Sequence, residues 1–431
     1  MATKKRYFGE WLLDFCSLAC NELKQIFSDG GVMLIFFGAG LIYPLLYNVV
    51  YRNGILDDTP IAIVDEAACS ESRRYIRELD ATREVEVAYK CINMAEAEKL
   101  MQERKVKGIV LFPRDFGEKL QRMETATLSV YCDMSCFLYY KNALMATNHV
   151  MLQEIGQIQI ERYAAAGFTG IEAAQLVQAV PYEENNPYNN AFSYSIFLLS
   201  AILLIIIQQA MFYGMSLLAG TQREQNRSFA SLPGHLQGHG MGRIVLGRGF
   251  AYWGLWMIIG IYIASIVPAI FGLPQRGEFL NILILLLFYV TACVFFSMTF
   301  STLITKRETV FVLFLFMSPI CVFLTGTSWP SAAIPGFWKY FSYIFPSTFG
   351  SQAFINMSTA GGDLSSAHDQ MIALTIQTVV YFILATAAVY AENWVIRHKD
   401  EIEEKKEEFE KEIGIDFREE DIRIIRGEAG E

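Results

Sequence analysis

The sequence predicts an α-helical polytopic membrane protein with six transmembrane helices and an extracytoplasmic α/β domain inserted after the first. Three observations predict it. Hydrophobic residues fill 53% of the 431 positions and charged residues only 19%, and the mean hydropathy is positive, a balance unusual for a soluble chain of this size. Six runs of about twenty mostly apolar residues can each cross a hydrocarbon core of about 30 Å; they fall at roughly 32–51, 191–219, 250–271, 279–304, 309–328 and 371–396. Between the first two runs, residues 52–190 change composition completely and alternate strand-like with helix-like stretches.

Residues 1–29 form the first element. Tyr7, Phe8, Trp11, Leu12, Phe15, Leu18, Leu23, Ile26 and Phe27 recur mostly three or four positions apart with Lys and Glu between them, the period of an amphipathic helix. Such a helix fits the membrane interface, and a helix packed on a partner protein would show the same pattern. The run at 30–51 starts about thirty residues in, and no small-residue cleavage site follows Tyr43-Pro44, so it is predicted to remain as a span.

In the inserted segment, PIAIVD, VEVAY, VKGIVLF and ATLSVYCD read as four strands. SESRRYIREL, opened by Ser70, and AEAEKLMQER read as helices, RDFGEKLQRM as a helical turn or two, and a long amphipathic helix runs from Cys136 to about Ala166. Strands alternating with helices imply crossover connections. Cys69, Cys91, Cys132 and Cys136 lie here, where disulfides are possible; a Cys69–Cys91 bridge and free buried thiols both fit.

Positive charge orients the spans. Lys4, Lys5, Arg6 and Lys24 precede the first; Arg223, Arg227, Arg243 and Arg248 separate the second and third; Lys306 and Arg307 the fourth and fifth; Arg397 and Lys399 follow the sixth. These segments share one side if the spans alternate, whereas the opposite short loops hold little beyond Arg276 and Lys339. Both termini are therefore expected in the cytoplasm, with the chain in the cell (inner) membrane. The tail 397–431 carries fourteen acids against eight bases and reads as a solvated helix.

No GxxxxGK[ST], HExxH, GxSxG or strand-bound GxGxxG occurs. His235 and His239 stand four apart, in a stretch too rich in Gly and Pro for a helix that would pair them on a metal. No metal site, no bound cofactor, no nucleic-acid partner and no catalysis by this chain alone are expected.

Residues 327–346, TSWPSAAIPGFWKYFSYIFP, hold three prolines and seven aromatics. Pro330, Pro335 and Pro346 cut the stretch into short pieces, and Trp329, Phe337, Trp338, Tyr340, Phe341, Tyr343 and Phe345 suit the interfacial belt. A re-entrant hairpin over 329–350 is predicted on the external side. GTSWP, IPGFW and IFP in this order resemble the type-2 ABC transporter permeases, the membrane subunits of ABC exporters. The likeness covers nearly the whole chain, including PIAIVD, KVKGIVLFPRDFGEKL, LSVYCD and the loop QREQNRSFASLPG, which keeps Arg223, Glu224, Leu232 and Pro233 but has Asn226-Arg227 where that family usually has Gly-Thr.

The resemblance implies a dimeric six-span half-transporter resting on an ABC ATPase subunit, with ATP and Mg on that partner. It implies a coupling loop within 220–249, where Arg223, Glu224, Gln225, Arg227 and Phe229 are the expected ATPase contact; topogenic charge alone would also account for the arginines. It also implies a second copy or sister permease, and members with a large external domain pass cargo to a periplasmic adaptor and outer-membrane duct. Polar residues within spans are costly in lipid, so Gln208, Gln209, Asn48, Thr325 and Thr327 are candidates for the substrate pathway, or for bonds between helices. No charge lies near the centre of a span, which favours an amphiphilic or hydrophobic substrate, drug-like or lipid. The competing reading is a membrane-anchored receptor or envelope-assembly scaffold; an ion-driven carrier would want buried carboxylates or internal repeats.

Overall fold

The computed structural model describes residues 2–51, 55–178, 189, 193–225 and 240–398. The chain divides into two compact units, Asn53–Ser193 and the remainder.

Helix α1 (Ala2–Ser28) precedes α2 (Gly30–Val50). Asp29 separates them: its carboxylate accepts the Gly31 and Val32 N–H groups at 2.9 and 3.1 Å, satisfying donors that a helix start leaves free. Within α2, Leu34–Ile42 winds as a π-helix, an uncommon geometry that occurs often at functional sites.

The unit Asn53–Ser193 is built on a four-stranded sheet. Its elements are β1 (Thr59–Asp65), α3 (Ser70–Asp80), β2 (Val85–Cys91), α4 (Met94–Gln102), β3 (Gly108–Phe112), α5 (Phe116–Gln121), β4 (Ser129–Cys132), α6 (Phe137–Ala165) and α7 (Gly170–Val177). The strand order is β2-β1-β3-β4, parallel except for β4. Central β1 is buried on both faces, as a covered parallel strand must be: Ile61 and Ile63 meet α3 and α6, while Ala62 and Val64 meet α4. Register slips between Ile61 and Ala62, leaving Ala88 of edge strand β2 unpaired; such a bulge blunts an edge against further pairing. The residue capping α3 is Cys69, whose sulfur accepts the Ser72 N–H at 3.3 Å, and not Ser70, which already lies in the helix. None of the eight cysteines is in a disulfide, and burial pushes the Cys91 and Cys132 thiols above their ordinary pKa.

Helix α8 (Tyr194–Glu224) is the core of the other unit. Its most apolar stretch is 94% buried, against 28% in α2, so it is a helix sheathed by helices rather than one facing lipid. Around it stand α9 (Met241–Phe271), α10 (Phe279–Ser301) and α11 (Thr309–Leu324). The short α12 (Gly336–Ser342), then α13 (Pro346–Phe354) with its π-turn Ile355–Thr359, and α14 (His368–Arg397) complete it. Five described helices are long and apolar enough to cross a membrane: α2, α8, α9, α10 and the Leu364–Val395 stretch, most of which is α14. The predicted span at 309–328 corresponds to the shorter, 16-residue apolar helix α11, ended near Gly326 at φ +81°; at 1.5 Å per residue it measures about 24 Å.

Three further boundaries differ from the sequence expectation. α8 continues to Glu224 and α9 starts at Met241, so positions 220–224 and 241–249 of the expected loop are helix. The hairpin's buried arm continues past 350 to Thr359. Its turn lies midway along its neighbours: Gln377 and Tyr381 of α14 donate to the carbonyls of Tyr343 and Ile344, and Gln208 of α8 accepts the Ser347 N–H. Among the seven aromatics, Phe345 is buried against Phe296, because it sits at that turn; Trp329, Phe337, Trp338, Tyr340 and Tyr343 stay exposed.

Candidate functional site

Gln208 and Gln209 are consecutive on α8, so their side chains point about 100° apart. Gln208 is buried and its Oε1 accepts the Ser347 N–H at 2.5 Å. Pro346 supplies the first residue of α13, where a missing N–H costs nothing, and Gln208 satisfies the next donor. Gln209 faces the other way. Its Nε2 donates to the Ser318 carbonyl at 3.2 Å, and Ser318 Oγ donates back to Oε1 at 3.0 Å.

That reciprocal pair forms one wall of a 340 Å³ pocket between α2, α8 and α11. Leu34, Ile35, Gly38 and Ala39 of the π-helix line it with Tyr213 and Phe314. Pro319, inside α11 beside Ser318, has no N–H for the helix ladder. The buried Tyr213 hydroxyl has no hydrogen-bond partner among the described residues. The pocket is thus apolar with an amide, a serine and two phenols, those of Tyr43 and Tyr213, the lining of a site for an amphiphile.

The structure brings only Gln209 of the five expected pathway residues to this pocket. Asn48 is buried with its Nδ2 on the Pro44 carbonyl at 2.8 Å. Thr325 is buried and donates to Val322 O, while its carbonyl accepts from Gln352. Thr327 is half-buried in the turn after α11. Trp329, Pro330, Pro335 and Trp338 lie around α12, with Pro335 as its N-cap and Pro346 buried at the first turn of α13.

The other candidate surface, the expected coupling segment, is anchored inward. Arg223 Nε and Nη2 grip Glu392 of α14 at 3.0 and 3.2 Å, and Nη1 donates to the Ser301 and Ile304 carbonyls at 2.7 and 2.6 Å. A guanidinium there satisfies carbonyls that the end of α10 leaves open and complements its dipole. Glu224 accepts the Arg307 backbone N–H at 2.9 Å, and Gln225 is exposed. Arg227, Phe229, His235 and His239 lie outside the described residues.

Sequence reasoning missed the acids that complete this belt. Asp14 meets Arg243 at 3.2 Å, Glu22 meets Arg248 at 3.4 Å and the Tyr252 hydroxyl at 2.7 Å, and Asp29 meets Arg307 at 2.8 Å. Burial alone would raise the Asp29 carboxyl; the Arg307 hydrogen bond and charge, with the Val32 and Gly31 N–H groups, outweigh it and hold the pKa below its ordinary value. The available signal was the spacing of the three acids, seven or eight residues apart along a helix otherwise read for its apolar face. Helix α1 therefore packs on α9 through charge as well as through Leu18 and the Phe15–Phe250 pair.

The model of the ABC-2 family transporter protein matches residues 31–387, from the first turn of α2 into α14. This chain belongs to the ABC-2 transporter family. ABC-2 permeases are membrane subunits without an ATPase of their own, and membership implies an ABC ATPase partner. No curated protein matches this ABC-2 chain.

Proposed function

We propose that this ABC-2 permease works as half of an ATP-driven exporter. Two six-span copies, or this chain and a sister permease, move an amphiphilic or hydrophobic compound, drug-like or lipid, out of the cytoplasm or the inner membrane. A separate ATPase subunit holds ATP and Mg. Both termini lie in the cytoplasm, α11 serves as the fifth span, and the α/β unit lies outside, where it suits cargo transfer to a periplasmic adaptor and outer-membrane duct.

The observation that carries this reading is the 340 Å³ pocket with the Gln209–Ser318 pair on its wall. It is bounded by three helices and walled by apolar side chains, so a membrane-soluble compound reaches it without shedding all its apolar cover. The coupling surface combines Gln225, Arg227 and Phe229 as contact with Arg223 and Glu224 as its anchor. Pushing the end of α8 then loads α10 and α14 through Arg223, a contact between two-state elements.

Filling the pocket tests the reading. In the native host, efflux of a panel of amphiphilic dyes should fall at least about tenfold in Ser318→Phe and Gly38→Leu while membrane insertion is unchanged. Undiminished efflux with the pocket filled, or no dye retained on deleting the chain, would count against it.

A further inference from the structure

A second cavity, of 240 Å³, lies between α12, the start of α13 and the first turn of α14. Three of its polar groups have already used a hydrogen-bond donor, while among the described residues the Ser331 and Tyr343 hydroxyls, the Gln370 amide and one N–H of Gln352 on the same lining keep theirs. Ser342 Oγ donates to the Lys339 carbonyl at 2.7 Å, Thr348 Oγ1 to the Ser342 carbonyl at 2.7 Å, and Gln352 Nε2 to the Thr325 carbonyl at 3.1 Å. Each keeps acceptor lone pairs, and Ser342 and Thr348 are 2% and 3% exposed, so bulk water serves them poorly. Asp369, exposed, adds a carboxylate whose Oδ1 lies 3.4 Å from His368 Nδ1. Lys339, also exposed, lines the cavity and makes no ion pair with any described residue. Leu324, Ile334 and Phe349 add apolar lining.

An occupant that donates hydrogen bonds from a positive group, offers an anion to Lys339 and carries apolar chains engages the acceptors, the ammonium and the apolar lining together. A phospholipid with a primary ammonium does all three, and a quaternary ammonium does not donate. We propose that this cavity binds the headgroup of an ethanolamine phospholipid, its phosphate on Lys339 and its ammonium among Asp369, Thr348 and Gln352. The exposed rings of Phe337, Trp338 and Tyr340 on α12 suit the headgroup level. The site is separate from the pocket at Gln209, and it rests on the proposed placement of the hairpin at the outer membrane surface.

Native mass spectrometry of the purified full chain in detergent, titrated with dihexanoyl lipids, tests it. The ethanolamine lipid should bind about tenfold more tightly than the choline or glycerol lipid. Asp369→Asn should remove that preference, Lys339→Gln should weaken all three lipids alike by losing the shared phosphate contact, and the exchanged pair Lys339→Asp/Asp369→Lys should restore part of the preference. Both residues are exposed, so folding should survive. Equal affinity for ethanolamine and choline lipids, or unchanged selectivity in Asp369→Asn, would overturn the assignment. The assay needs neither ATPase nor transport: lost selectivity beside intact ATP-driven efflux removes the lipid site alone, and kept selectivity without an ATPase partner removes the exporter reading alone.

Discussion

Where α1 crosses α9, and where α8 and α10 end, helices are joined by charge: Asp14–Arg243, Glu22–Arg248, Asp29–Arg307 and Arg223–Glu392. Where the hairpin turns, they are joined by neutral groups: Gln208 to Ser347, Ser351 to the Ala201 carbonyl, Gln377 to the Tyr343 carbonyl. The difference teaches where force can pass. A partly buried ion pair is costly to half-break because the surviving charge has nowhere to go, so the charged end moves as one body. A neutral bond lost at the hairpin costs about 1–3 kcal/mol, so that end can rearrange a bond at a time.

The largest effect should come from Arg223. Arg223→Ala strands Glu392 and two carbonyls, and thermal unfolding in detergent should show a loss of about 3 kcal/mol, partly recovered in Arg223→Lys. A variant as stable as the parent would erase the contrast between the two ends.

Next is the seam at Gly350, where a Cβ would strike the Tyr289 ring. Gly350→Val should cost about 1–3 kcal/mol by overpacking, with the hairpin the first segment to gain hydrogen exchange. Uniform exchange across the bundle would argue that the hairpin is no separate unit.

Smaller and more discriminating is the glutamine pair. Gln208→Leu should lower stability by about 1–2 kcal/mol through the orphaned Ser347 N–H, whereas Gln209→Leu should change stability by less than about 1 kcal/mol and alter which amphiphiles are exported. Reversed effects would exchange the two roles.

The smallest effect is in acid. Asp29 has a folded-state pKa below its ordinary 3.8, so its stabilisation is complete above that value and is lost as pH falls through the folded one. The melting-point gap between the parent and Asp29→Asn should therefore narrow only below about pH 4. A gap constant down to pH 3 would mean that the Asp29–Arg307 pair does not set the local stability.

What could be read from the sequence was local. Strands β1 to β4 follow from short apolar runs bounded by turn residues, and each apolar helix shows in a single run of sequence. Failures came where a partner lies far along the chain. Nothing near Arg223 points to Glu392, 169 positions away, so its inward ion pair was not legible beside the expected contact role. Composition alone does not separate Gln208 from Gln209, because only the helical rotation between them decides which meets the hairpin and which the pocket. Phe345 looked interfacial with its six aromatic neighbours, and tertiary packing at the hairpin turn buried it.

The central claim is that this ABC-2 permease carries the force of a partner ATPase. The most direct measurement is mass spectrometry of what co-purifies with the tagged chain from its own host's membranes in mild detergent. The account predicts a P-loop ATPase, lost when Glu224 and Phe229 are substituted together while the chain still inserts. Recovery of envelope proteins alone, with no ATPase, would contradict it and favour a membrane-anchored scaffold.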